Sequence, residues 1–140
     1  MKKTCILVAD DEQTIRLLAR RLLSDKFTVL EASDGKEAVD LARKHKPSLI
    51  LMDIIMPNMD GYNACSMIKT DKATTGIPVV MLSGLDYELN KKLAKAIGAD
   101  DYITKPFTLE KLLNTIGKFL EIPKGGSNGE GTSGIQGSRF

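Results

Sequence analysis

Five residues with reactive or charged side chains stand where short apolar runs end. Asp10 and Asp11 follow Cys5–Ala9, Asp53 follows residues 49–52, Ser83 closes residues 78–83, and Lys105 leads into Pro106 after Asp101–Thr104. Three carboxylates brought into one pocket repel each other by about 4 kcal/mol per pair at 4 Å and an effective dielectric near 20, so a compensating charge is required. Mg²⁺ suits a site offering two or so carboxylates plus waters, with positions left for phosphate oxygens. A carboxylate beside such a cation can attack a phosphoryl donor, because the metal neutralises the oxygens that would otherwise repel it. That chemistry assigns the nucleophile to Asp53. Lys105 supplies a positive charge for phosphoryl oxygens, the Ser83 hydroxyl donates a hydrogen bond to them, and Gly84 keeps that approach open. Pro106 restricts the backbone after Lys105, with a cis Lys105–Pro106 bond as the hypothesis.

These residues converge only if the runs are neighbouring parallel strands. From Lys3 to Leu120 short apolar runs alternate with stretches of helical periodicity, the pattern of a parallel sheet covered on both faces. Strands are expected at Cys5–Ala9, Thr28–Ala32, 49–52, 78–83 and Asp101–Thr104, and helices at 12–23, 35–44, 62–70, 87–97 and 109–120. In the first helix Ile15, Leu18, Ala19 and Leu22 form the inward stripe, leaving Arg16, Arg20 and Arg21 largely outside it. Thr108 is expected to cap the last helix, and Gly98 to stop the fourth. Five βα units with right-handed crossovers predict a doubly wound α/β sandwich with a five-stranded parallel sheet, whose functional crevice lies beyond the carboxyl ends of the strands.

Composition narrows the class. The 140 residues amount to about one domain, and 42% hydrophobic with 27% charged residues excludes a fibrous or disordered chain. A net charge of +2 is too balanced to imply nucleic-acid binding. Cys5 and Cys65 lack metal-ligand spacing and are expected to be buried free thiols in a reducing compartment. The first apolar run is cut by Asp10-Asp11-Glu12 before it reaches signal-peptide length, and no run could span a bilayer, so a cytoplasmic protein is expected. Residues 1–123 are expected to form the domain. Residues 124–140, with nine Gly or Ser, read as a flexible linker, end or expression remnant.

The acidic pair Asp10-Asp11, the segment Met52-Asp53-Ile54-Ile55-Met56-Pro57-Asn58-Met59-Asp60-Gly61, the pair Ser83-Gly84 and the pair Lys105-Pro106 stand in one order and spacing. In these the chain resembles the CheY-like receiver domains of bacterial two-component response regulators, across essentially all of Lys3 to Leu120. The resemblance implies a flavodoxin-like (βα)₅ fold, with Asp53 the phosphoacceptor and Asp10, Asp11 and the Ile55 carbonyl holding Mg²⁺ with it. It further implies Ser83 as the switch hydroxyl, Tyr102 as the switch aromatic and Lys105 as the phosphate-pairing lysine. The phosphoryl group would come from a sensor histidine kinase or a phosphotransfer protein. The switched surface of the fourth helix, fifth strand and fifth helix would act on an effector protein or a following output domain, and allows a phosphorylation-dependent dimer. No nucleic acid or membrane is expected on these residues. Ile55 and Leu85 occupy positions that tune phosphate lifetime; both are apolar and cannot orient a hydrolytic water, so slow autodephosphorylation is expected.

Blander alternatives exist for each residue. An acidic pair after a strand can simply favour a helix N-terminus, Tyr102 can be core, Lys105 can be solvated, and Lys91, Lys92 and Lys95 can be a solvated helix face. His45 sits at a helix end and carries no chemistry. An enzyme with a strand-end Asp nucleophile would need a second acid two residues on, where Ile55 stands, so turnover of phosphate esters is not expected. A phosphorylation-independent adaptor is disfavoured by the complete set of five residues.

Overall fold

The computed structural model describes residues 3–84 and 88–123. Ten elements alternate: β1 (Cys5–Ala9), α1 (Gln13–Leu23), β2 (Thr28–Ala32), α2 (Gly35–His45), β3 (Leu49–Asp53), α3 (Gly61–Thr70), β4 (Val79–Ser83), α4 (Glu88–Ala96), β5 (Asp101–Thr104) and α5 (Leu109–Ile116). The strands form one parallel sheet in the order β2-β1-β3-β4-β5, the doubly wound arrangement expected.

Alternation along the strands sorts the core into two layers. Ile6, Val8, Leu49, Leu51, Val80, Leu82 and Ile103 pack with Ala19 and Leu23 of α1 and with Leu112, Leu113 and Ile116 of α5. Leu7, Ala9, Ile50, Met52, Val79 and Met81 face the other way, onto residues of α2, α3 and α4 that include Val39, Cys65, Ile68 and Ala94. The three central strands are covered on both faces, which is why their runs are continuously apolar.

Local signals place the helix ends. The Asp34 carboxylate accepts from the Glu37 N–H at 2.7 Å, and the Glu37 carboxylate reaches back to the Ser33 N–H, also at 2.7 Å. Asp60 caps α3 through the Asn63 N–H and Thr108 caps α5 through the Lys111 N–H. Gly98, at φ +95°, terminates the α4 region as expected, and the Lys105–Pro106 bond is cis.

Four expectations need correction. Leu18 is 38% exposed, and Leu23 takes its place on the inner stripe of α1. Arg16 is not outside: its side chain is only 16% exposed. Cys5, at the start of β1, is half-buried, whereas Cys65 is buried. The last helix stops at Ile116 rather than at residue 120: Phe119 N–H bonds to the Ile116 carbonyl in a tighter turn, while Phe119 and Leu120 still pack on the core, so the apolar spacing outlasts the helix. Tyr87, Leu85 and the 124–140 segment lie outside the described residues.

Candidate functional site

The register of the sheet brings the strand ends together. Ala9 pairs with Met52, Asp53 with Leu82, and Ser83 with Thr104, so Asp10, Asp53, Ser83 and Lys105 sit at adjacent carboxyl ends. Continued one residue past the strands, the alternation puts Asp10, Asp53 and Lys105 on the parity of Val8, Leu51 and Ile103, the α1/α5 side. Ser83 and Tyr102 fall on the opposite parity, with Met81 and α4.

Asp10 has no solvent exposure, Asp53 is 6% exposed and Asp11 lies open at the surface. One carboxylate oxygen from each lies within 4.8 Å of the others. Lys105 closes the group: its Nζ donates to Asp10 Oδ2 at 2.7 Å and to Asp53 Oδ1 at 3.2 Å, with the Glu12 carboxylate at 3.9 Å. Burial, and then the charge of Asp10, push the Asp53 carboxyl up to about 6, against the opposing pull of Lys105. Burial lowers the Lys105 ammonium, but Asp10 and Asp53 outweigh it and leave its pKa raised. One lysine thus leaves the acidic group under-compensated. An all-oxygen set with one buried, one nearly buried and one open carboxylate fits a hard divalent cation that keeps water ligands.

Backbone anchors hold this geometry. Asp10 Oδ1 accepts from the Glu12 N–H at 2.9 Å, and the Asp10 carbonyl accepts from Arg16 Nη1 at 2.7 Å. The Lys105 N–H donates to the Ser83 carbonyl at 2.7 Å, tying β5's exit to β4's. Behind Asp53, the Gly61 N–H donates to the Ile54 carbonyl at 2.7 Å, and a Cβ on Gly61 would stand 1.9 Å from the Asp53 carbonyl oxygen. Asn58, at φ +66°, donates from Nδ2 to Asp34 Oδ2 at 2.7 Å and fixes the β3–α3 loop to the start of α2. Ile55 projects from that loop, 68% exposed at the rim.

Tyr102 is half-buried against the α2/α3/α4 layer, beside a groove of about 410 Å³ between α4 and the edge strand β5, lined by Lys91, Ala94 and Lys95 among others. The Tyr62 hydroxyl donates to the Asn90 carbonyl of α4 at 3.3 Å. Three contributors escape a reading of residue types: Glu12, Arg16 and Gly61. Only Gly61 carries a sequence signal, a glycine at the start of a helix where capping alone would not demand one.

The response regulator receiver domain profile matches residues 6–117. The chain is 40% identical over 112 residues to Protein PilG of Pseudomonas aeruginosa, covering 79% of this chain and 83% of that protein. It is 39% identical over 108 residues to the alkaline phosphatase synthesis transcriptional regulatory protein PhoP of Bacillus subtilis, covering 77% of this chain. The structure of the chemotaxis protein CheY4 of Vibrio cholerae superposes with a TM-score of 0.80 at 31% identity, covering 84% of this chain and 99% of that one. The chain spans 9% and 44% of the length of two of its curated relatives.

Proposed function

The chain belongs to the receiver domains of the two-component response regulators, and from that premise we propose that Asp53 accepts a phosphoryl group in a Mg²⁺-dependent reaction and thereby switches an output surface. The observation that carries this reading is the convergence of one carboxylate oxygen each from Asp10, Asp11 and Asp53 within 4.8 Å, with Lys105 bridging Asp10 and Asp53. Asp10, Asp11, Asp53 and the Ile55 carbonyl would hold Mg²⁺, whose charge would neutralise the oxygens of the incoming phosphoryl group. Asp53 supplies the attacking carboxylate oxygen. The bond from phosphorus to the donor atom, an imidazole nitrogen in a phosphohistidine, breaks as the new P–O bond to Asp53 forms, and the electron pair leaves with that nitrogen, which takes up a proton. Lys105, already between Asp10 and Asp53, turns its charge to the transferred phosphoryl oxygens, and the buried Ser83 hydroxyl donates to them.

A phosphoryl group adds about −1.5 to −2 charge and three acceptor oxygens at one point, and needs a bistable element to act at a distance. Ser83 and Tyr102 share one sheet face with α4, so movement of the hydroxyl toward the phosphate frees space on the face where the Tyr102 ring packs. That makes the α4–β5–α5 surface the output. It would meet an effector protein, a following output domain or, after phosphorylation, a second copy. The donor would be a sensor histidine kinase or phosphotransfer protein. The protein is a signalling switch whose only chemistry is its own phosphorylation and dephosphorylation, placed in the cytoplasm, with residues 1–123 as receiver and 124–140 as a tail or linker.

Incubation with a small phosphodonor tests this. Intact mass should rise by a single phosphoryl group with Mg²⁺ and stay unchanged after chelation. An unmodified mass under both conditions would favour a phosphorylation-independent adaptor.

Phosphate lifetime gives a second expectation. Ile55 offers no hydrogen bond to a hydrolytic water, and Leu85 likewise lacks a polar group. Ile55→Asn and Leu85→Glu should each lose the phosphoryl group faster than wild type, about fivefold if one hydrogen bond contributes about 1 kcal/mol to the transition state. A time course of adduct mass in which the wild type decays faster than both variants overturns this.

A further inference from the structure

Asp10 lies one residue past β1, and its backbone is still half in the sheet. Its N–H donates to the Ala32 carbonyl at 3.0 Å, so in a parallel ladder its own carbonyl would next take the N–H of residue 34. That rung is lost, because Asp34 has turned away to cap α2. Arg16, on the first turns of α1, fills the gap: Nη1 donates to the Asp10 carbonyl at 2.7 Å while Nε donates to Glu31 Oε1 at 3.1 Å. Glu31 is on β2, the strand that ends beside Asp10, and Arg20 holds its other oxygen at 2.7 Å. The guanidinium therefore ties α1, β2 and the strand-to-helix turn bearing Asp10 and Asp11 into one unit.

We propose that Arg16 is a positioning residue for the metal-binding acidic pair, acting through the Asp10 carbonyl; the inference rests on the Mg²⁺ reading above. The planar fork suits this double duty, since one cation grips a carbonyl and a carboxylate in fixed directions. Groups that orient metal ligands without touching the metal typically change affinity by about 10–100-fold when removed.

The sign of the effect separates positioning from simple charge. Removing a cation near a Mg²⁺ site should strengthen Mg²⁺ binding if only Coulomb forces count. Removing the residue that holds Asp10 in place should weaken it. Arg20 is the internal control, because it pairs with the same Glu31 but donates its remaining bond to the Val29 carbonyl, away from Asp10.

The experiment is a calorimetric Mg²⁺ titration of the full chain, without phosphodonor, on wild type, Arg16→Met, Arg16→Lys and Arg20→Met, with urea midpoints taken alongside. Methionine keeps an unbranched apolar stem in place of the largely buried arginine stem and removes the guanidinium. Arg16→Met should bind Mg²⁺ about 10–100-fold more weakly, Arg16→Lys should fall between it and wild type, and Arg20→Met should bind at least as tightly as wild type. If Arg16→Met does not fold, the lysine variant decides alone: weaker binding supports the proposal. Wild-type or tighter binding by the folded Arg16 variants overturns it while leaving the Mg²⁺ reading intact. A wild-type chain that binds no Mg²⁺ overturns both.

Discussion

Asp53→Asn will take up no phosphoryl group under conditions that modify the wild type, and without Mg²⁺ it will be the more stable protein at neutral pH. The first outcome follows from the chemistry, since the amide offers no anionic oxygen to attack the donor. The second follows from the site's unbalanced charge. Burial and the neighbouring Asp10 push the Asp53 carboxyl from 3.8 up to about 6 in the metal-free fold. Because the folded-state value exceeds the unfolded one, the folded chain holds more protons between about pH 4 and pH 6, and stability falls as pH rises through that window. Above it the cost is fully present, on the order of 1–3 kcal/mol at 1.36 kcal/mol per pKa unit. Urea midpoints should therefore show Asp53→Asn more stable than wild type at pH 7.5, with a smaller gain at pH 5. Mg²⁺ should reverse the order: a ligand at roughly 100 times its dissociation constant stabilises the wild type by about 2.7 kcal/mol, and the variant, short of one carboxylate, should respond much less. A phosphoryl adduct on the Asn chain would move the acceptor elsewhere. A metal-free Asn chain less stable than wild type at pH 7.5 would mean that Lys105 overcompensates the carboxylates.

The same imbalance explains why so much of the site is legible in the residues alone. A buried parallel strand must be apolar throughout, so a polar residue at its end is conspicuous, and Asp10, Asp53, Ser83 and Lys105 announce both the strand ends and the crevice. β1, β2 and β5 fall on their expected bounds for that reason. Helical periodicity carries less information. It reports which way a Cα–Cβ bond points, not where a long side chain ends, and so it places Arg16 on the solvated side of α1 although its guanidinium turns back to the Asp10 carbonyl. It misplaces Leu18 because the inner stripe of α1 runs through Leu23 instead. It extends α5 to residue 120 because Phe119 and Leu120 go on burying apolar surface after the helical bonds have tightened into a turn. Sheet parity, by contrast, survives past the strand ends. It separates Asp10, Asp53 and Lys105 from Ser83 and Tyr102, a division between the two sheet faces that no single motif displays.

Gly61→Ala will destabilise the fold by about 3 kcal/mol or more, at the upper end of what overpacking costs, and it will disable the acceptor without touching its carboxylate. Gly61 opens α3 with its N–H on the Ile54 carbonyl at 2.7 Å, which pulls the helix start against the exit of β3. A Cβ there would meet the Asp53 carbonyl oxygen at 1.9 Å, the Asp53 carbonyl carbon at 2.9 Å and Ile54 Cα at 3.0 Å. All three are backbone atoms, so no rotamer change relieves the contact. Either α3 retreats or the end of β3 moves. Retreat breaks the Gly61–Ile54 bond and opens the layer in which Ala64, Cys65 and Ile68 pack. Movement of β3 shifts Asp53 relative to Asp10 and Lys105, whose contacts span only 2.7–3.2 Å. Gly76→Ala is the control, since a Cβ at that position meets nothing within 4 Å and should change stability by no more than about 0.5 kcal/mol. Urea midpoints for the two variants, together with phosphoryl uptake by the fraction of Gly61→Ala that stays folded, give the comparison. A Gly61→Ala chain as stable as Gly76→Ala, or one that is phosphorylated at the wild-type rate, would show that the close approach of α3 to Asp53 does not constrain the acceptor.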